Sequence, residues 1–153
     1  MFRYKIIDKP KDIKIDKKIV DSIFSVISEN IADIQKWTLN IVFLPDTEIQ
    51  KLNKEYRWID STTDVLSFHY FDDFSDLKEK EIAWEIILSE SKIRIQSAEF
   101  WNSLEEEFYK LIVHSALHIL GFDHEDDVEY EEMKVEEDEV IGRINNEFNI
   151  VIS

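Results

Sequence analysis

The chain has 153 residues, of which 44% are hydrophobic and 34% charged; it has no cysteine and a formal net charge of −16. That length suits one domain with a real core, and the lack of cysteine rules out disulfides, thiolate metal sites, iron–sulfur clusters and a cysteine nucleophile. An overall acidic chain does not hold nucleic acid through a general electrostatic footprint, but the charge is uneven: residues 1–58 carry 11 basic and 9 acidic side chains, residues 59–153 carry 7 and 25.

FRYKIID (2–8) predicts a first strand. DKKIVDSIFSVISENI (16–31) places Ile19, Val20, Ile23, Phe24, Ile27 and Ile31 at helical spacing behind an Asp16 cap. WTLNIVFL (37–44) reads as a strand ended by Pro45, and DTEIQKLNKEYR (46–57) as a helix capped by Asp46, with Ile49, Leu52 and Tyr56 inward. TDVLSFHYF (63–71) alternates Val65, Ser67 and His69 against Leu66, Phe68 and Tyr70, a strand pattern. An acidic loop, DDFSDLKEKE (72–81), leads to the strand IAWEIILS (82–89). SESKIRIQSAEFW (89–101) predicts a helix. The next opens at Ser103 with a capping box, in which Glu106 reaches back to the cap, and stops at Gly121. DVEYEEMKVEEDEVIGRI (127–144) predicts a last, very acidic helix. About four strands and five helices make one α+β domain over residues 1–153.

HSALHILGFDH (114–124) holds three of the four histidines. His114 and His118, four apart on a helix, project from one face. Gly121 then breaks the helix, so that His124 can return to the same point. Three imidazoles with a fourth position left to water describe a catalytic metal site, His114, His118 and His124 being the ligands; zinc fits it best, the spacing alone leaving nickel, cobalt and manganese open, and Asp123 is placed to orient His124 or the water. The His-x3-His-x5-His spacing is that of a metalloprotease helix and turn. The glutamate base that such a protease carries after its first histidine is absent, since Ser115 stands there. His69 is read as an ordinary strand histidine. In LNKEYRWIDSTTDVLSF (52–68), the polar loop WIDSTTD joins a helix to a strand, and Arg57 offers a planar fork suited to phosphate.

Together these two stretches resemble the YbeY family, bacterial single-strand-specific endoribonucleases of ribosomal RNA maturation. That family reads H-G-x-L-H-L-x-G-Y-D-H and L-N-x-x-Y-R-x-x-D-x-P-T-D-V-L-S-F-P. Here Ser115 replaces the family's glycine, Thr62 and His69 replace its two prolines, and Trp84-Glu85 stand for its Gly-Asp, a change expected to alter the substrate groove. The resemblance implies a small α+β domain with a central four-stranded mixed sheet. It implies one zinc on His114, His118 and His124, with Arg57 and His114 as catalytic residues. It implies cleavage of single-stranded RNA in ribosomal RNA processing (the 16S rRNA 3′ end) and ribosome quality control, by a zinc-activated water or a Lewis-acid zinc, with Arg57 stabilising the phosphate. The loss of the proteolytic glutamate suits this chemistry, because a phosphodiester needs positive charge near the phosphate more than it needs a protease's base.

RNA is then expected along the side bearing Lys5, Lys9, Lys11, Lys14, Lys17, Lys18, Lys51, Lys54 and Arg57, with ribosomal proteins or the small ribosomal subunit as further candidate partners, and neither DNA nor membrane. The N-terminus lacks the apolar run and cleavage site of a signal peptide, and no stretch approaches ~20 apolar residues, so a cytoplasmic protein is expected. Two other readings remain at this point: a zinc-containing ribosome-assembly factor without catalysis, and a metal-dependent hydrolase of another substrate.

Overall fold

The computed structural model describes residues 3–29, 38–69, 82–119 and 126–153. Among them the chain runs β1 (Arg3–Ile7), α1 (Lys17–Ser28), β2 (Thr38–Leu44), α2 (Asp46–Arg57), β3 (Val65–His69), β4 (Ile82–Ser89), α3 (Glu90–Glu99), α4 (Leu104–Ile119) and α5 (Asp127–Phe148). The four strands form one sheet in the order β1-β2-β4-β3. β1 and β4 both pair parallel to β2, and β3 pairs antiparallel to β4, so the sheet is mixed. The expected α+β architecture of four strands and five helices is the observed one.

The pleat divides the sheet into two unequal faces. Leu39, Ile41 and Phe43 of β2 and Trp84, Ile86 and Leu88 of β4 face the main core. There they meet Ile19, Val20, Ile23, Phe24 and Ile27 of α1, Phe108, Ile112, Val113 and Ala116 of α4, and Met133, Val140 and Ile144 of α5. The opposite face is covered by α2 through a smaller cluster of Ile49, Leu66 and Ile87, flanked by Leu44, Leu52 and Phe68. β4 is apolar on both faces because it is a central strand covered on both sides. Trp84, one of the two residues standing for the family's Gly-Asp, is a core residue only 2% exposed.

α4 is the central helix, packed against α1, α3, α5 and β3. Its apolar residues therefore occur nearly all round it. The predicted capping box forms in full: Glu106 N–H donates to Ser103 Oγ at 3.0 Å, and Ser103 N–H donates to Glu106 Oε1 at 2.8 Å. Asp16 caps α1 as expected, accepting from Lys18 N–H at 2.9 Å.

Two expectations for α2 need correction. Its cap is Pro45, and Asp46 is its first residue. The Asp46 carboxylate accepts instead from Ser89 Oγ at 2.5 Å, Ser91 Oγ and Thr62 Oγ1 at 3.4 Å. Those bonds tie α2 to the ends of two other elements and to the loop before β3. Tyr56 is 63% exposed, and the inward position one turn after Ile49 belongs to Asn53, 2% exposed. The sequential step i to i+4 carries the buried face from Ile49 to Asn53, which leaves Tyr56 at the helix edge. Asn53 Nδ2 donates to the carbonyl of Ser61 at 2.9 Å and so closes the polar loop that follows.

Candidate metal centre

α4 presents His114 and His118 from its last turns. Their ring centroids lie 4.7 Å apart with planes inclined at 76°. Both side chains are only partly buried, His114 being 32% exposed, whereas Ser115 and Leu117 between them turn into the core. The helix thus sorts its own sequence: one stripe builds the core, and the next places two imidazoles at its border. Ser115 occupies the place of the missing protease glutamate at 0% exposure, and among the described residues its hydroxyl has no hydrogen-bond partner.

His114 also meets a residue that sequence reasoning missed. Its Nδ1 contacts Oε1 of Glu137, which comes from α5. Glu137 lies one turn after Met133 and one turn before Val140, both buried on the inward stripe of α5. A carboxylate in a position where the 3.6-residue period calls for an apolar side chain was the available signal.

His124, Asp123 and Gly121 lie outside the described residues, as do Tyr70 and the acidic loop 72–81. Among the described residues no group of three or more His, Cys, Asp or Glu side chains is close enough to hold a metal ion. The donor chemistry of the described pair still fits zinc. Two neighbouring imidazoles stand on one helical face, and a carboxylate on Nδ1 of His114 leaves Nε2 of that ring for a metal.

Arg57 ends α2 and is exposed. Trp58 after it adopts a left-handed conformation, φ 57°, and is 91% exposed. The neighbouring Tyr56 ring packs edge-on against Phe68 of β3, with centroids 5.4 Å apart, and β3 in turn packs on α4. The helix that ends in Arg57 and the helix that bears the histidine pair thus contact the same edge strand.

Six of the nine basic residues expected along one side lie in two separate groups. Lys5, Lys9 and Lys17 line a groove of about 500 Å³ at the β1 edge, together with Tyr4, Ile6 and Ile15. Lys51, Lys54 and Arg57 belong to α2, on the β3 and β4 side. The width of the sheet separates them.

The sequence profile described as Endoribonuclease YbeY matches residues 5–145. The chain belongs to the YbeY endoribonuclease family. It is 33% identical over 144 residues to Endoribonuclease YbeY of Clostridioides difficile (strain 630), covering 90% of this chain and 94% of that one. It is 36% identical over 154 residues to Endoribonuclease YbeY of Thermoanaerobacter sp. (strain X514), covering 92% and 96%. In three dimensions it is similar to the solution structure of TM1509 from Thermotoga maritima, with a TM-score of 0.53 and 25% identity, over 94% of this chain and 93% of that one. Three of this chain's departures from the YbeY pattern can be placed in the fold. Ser115 and Trp84 are both core residues, and Thr62 donates to the Asp46 carboxylate.

Proposed function

We propose that this protein is a zinc-dependent endoribonuclease that cleaves single-stranded RNA, with His114, His118 and His124 as metal ligands and Arg57 as the cationic partner of the phosphate. Membership of the YbeY endoribonuclease family supports the activity. The observation that carries the site is the convergence of the His114 and His118 rings at the partly exposed end of a buried helix. Zinc bound there supplies a positive charge beside the phosphate and lowers the pKa of water.

The remaining work falls to the chain. The imidazoles of His114 and His118 fix the ion on a rigid helix rather than on a loop. Arg57 offers a permanently charged fork for the non-bridging oxygens. The substrate is ribosomal RNA undergoing maturation, including the 16S 3′ end, and the site of action is the cytoplasm. Among the described residues no helix is long and apolar enough to cross a membrane. The outer face of α5 exposes Glu131 and Glu132 beside Val128 and Val135, around a shallow groove of about 420 Å³. That face suits a basic partner, such as a protein of the small ribosomal subunit.

The test is cleavage of an end-labelled single-stranded RNA by wild type, His118→Ala and Arg57→Ala, with and without chelator. Wild-type cleavage is expected to vanish with chelator and return with zinc. His118→Ala should be inactive, and Arg57→Ala slowed by roughly 10²–10³-fold with its metal retained. Equal cleavage by all three proteins would sink the proposal. The product ends decide the nucleophile: a 2′,3′-cyclic phosphate means attack by the RNA's own 2′-hydroxyl rather than by water.

A further inference from the structure

The contact between α5 and α4 has a use that the fold alone does not require. Glu137 lies on the inward stripe of α5, flanked by Met133 at 2% exposure and Val140 at 5%. The carboxylate is itself only 21% exposed, and it meets Nδ1 of His114. Partial burial of a carboxylate costs free energy unless it is hydrogen-bonded. An apolar side chain at this point of the stripe would avoid that cost and add to the core.

We propose that Glu137 is the positioning residue of the metal centre. Its carboxylate accepts the Nδ1–H of His114, which fixes the ring's orientation and its tautomer and presents Nε2 to the ion. This rests on the metal reading of the site given above.

Three features of the geometry carry it. The two ring nitrogens point to opposite sides of an imidazole, so a group on Nδ1 cannot also reach a metal on Nε2. Glu137 is thereby excluded both as a further ligand and as a stand-in for the absent protease base. A ligating histidine that donates its other N–H to a carboxylate is held in one orientation and is a better donor to the metal. Finally, the carboxylate comes from a different helix than the histidines. It thus locks the ring against rotation about its own side-chain bonds, which α4 alone cannot do.

The test measures zinc affinity by competition with a chromophoric chelator, and the cobalt(II) absorption spectrum, for wild type, E137Q, E137A and V140A. Thermal melting of each metal-free protein is measured alongside. V140A changes packing on the same α5 stripe and leaves the Glu137 carboxylate in place. E137A should weaken zinc binding by about 10–100-fold, with a shifted cobalt spectrum. E137Q, which keeps the shape and an acceptor oxygen but not the charge, should lie between E137A and wild type. V140A should lower the melting temperature and leave zinc affinity within about two-fold of wild type.

Wild-type affinity in both Glu137 variants overturns the proposal. So does an equal loss of affinity in V140A, which would assign the effect to packing. If E137A does not fold, E137Q against V140A gives the same decision. A wild-type chain that binds no zinc would overturn the metal reading itself, an outcome distinct from wild-type affinity in the variants.

Discussion

Ser115 carries a hydroxyl into the core with no partner for it among the described residues. A buried hydroxyl without a hydrogen bond costs about 1–3 kcal/mol. Ser115→Ala keeps the volume of Cβ and removes the unpaired group. It should raise stability by about 1 kcal/mol, a rise of roughly 2–4 °C in Tm for a domain of this size, with zinc affinity unchanged. A fall in Tm would mean that the hydroxyl has a bonding partner after all. The pairing of His114 with His118 could be read from the sequence, because i and i+4 on a helix is local geometry. The inward turn of Ser115 and the approach of Glu137 could not be read with the same ease. Both depend on which stripe of each helix meets the core, and that is decided between elements far apart in sequence.

Asp46 is the clearest case at the level of elements. Its carboxylate is held below the usual range first by the Ser89 hydroxyl and then by that of Ser91. Through them the start of α2 is tied to the end of β4 and the beginning of α3. The folded state therefore favours the ionised form. The stabilisation is fully present above the unfolded value of 3.8 and is lost as pH falls through the lower folded value. Asp46→Asn should cost about 1 kcal/mol near neutral pH, a figure reduced for the side chain's exposure to solvent. The gap between variant and wild type should narrow below pH 3.8, as read from urea midpoints across an acid pH series. A gap constant with pH would deny the carboxylate this role. The existence and order of the elements were legible from hydrophobic period, caps and proline. The cap of α2 was not, because an aspartate one residue into a helix resembles a cap until a serine from another element claims it.

For the whole molecule the dominant fact is a net charge of −16. Self-repulsion of that size opposes the compact state, and salt screens it over a Debye length of about 8–10 Å. Raising sodium chloride from about 50 to about 300 mM should therefore raise Tm and at the same time weaken RNA binding, since phosphate contacts release counterions. Calorimetry and a filter-binding assay on the same samples read the two opposite slopes. Parallel slopes would mean that phosphate contacts do not hold the RNA. The sheet order β1-β2-β4-β3 was beyond a sequence reading, because pairing depends on which strands share a covered face. The two-sided apolar run of β4 hinted only that it is central.

The chain's order of synthesis gives the α5 contact a temporal meaning. The two histidines of α4 are made before residue 120, while the carboxylate that meets His114 arrives with α5, and Ser153 bonds to Asn102 in the turn before α4. A chain still being translated, or cut short before α5, carries the two α4 histidines without the brace against one of them. On the proposed role of Glu137, such a chain should bind zinc more weakly than one that carries α5, so metal loading would follow the order in which the helices are made.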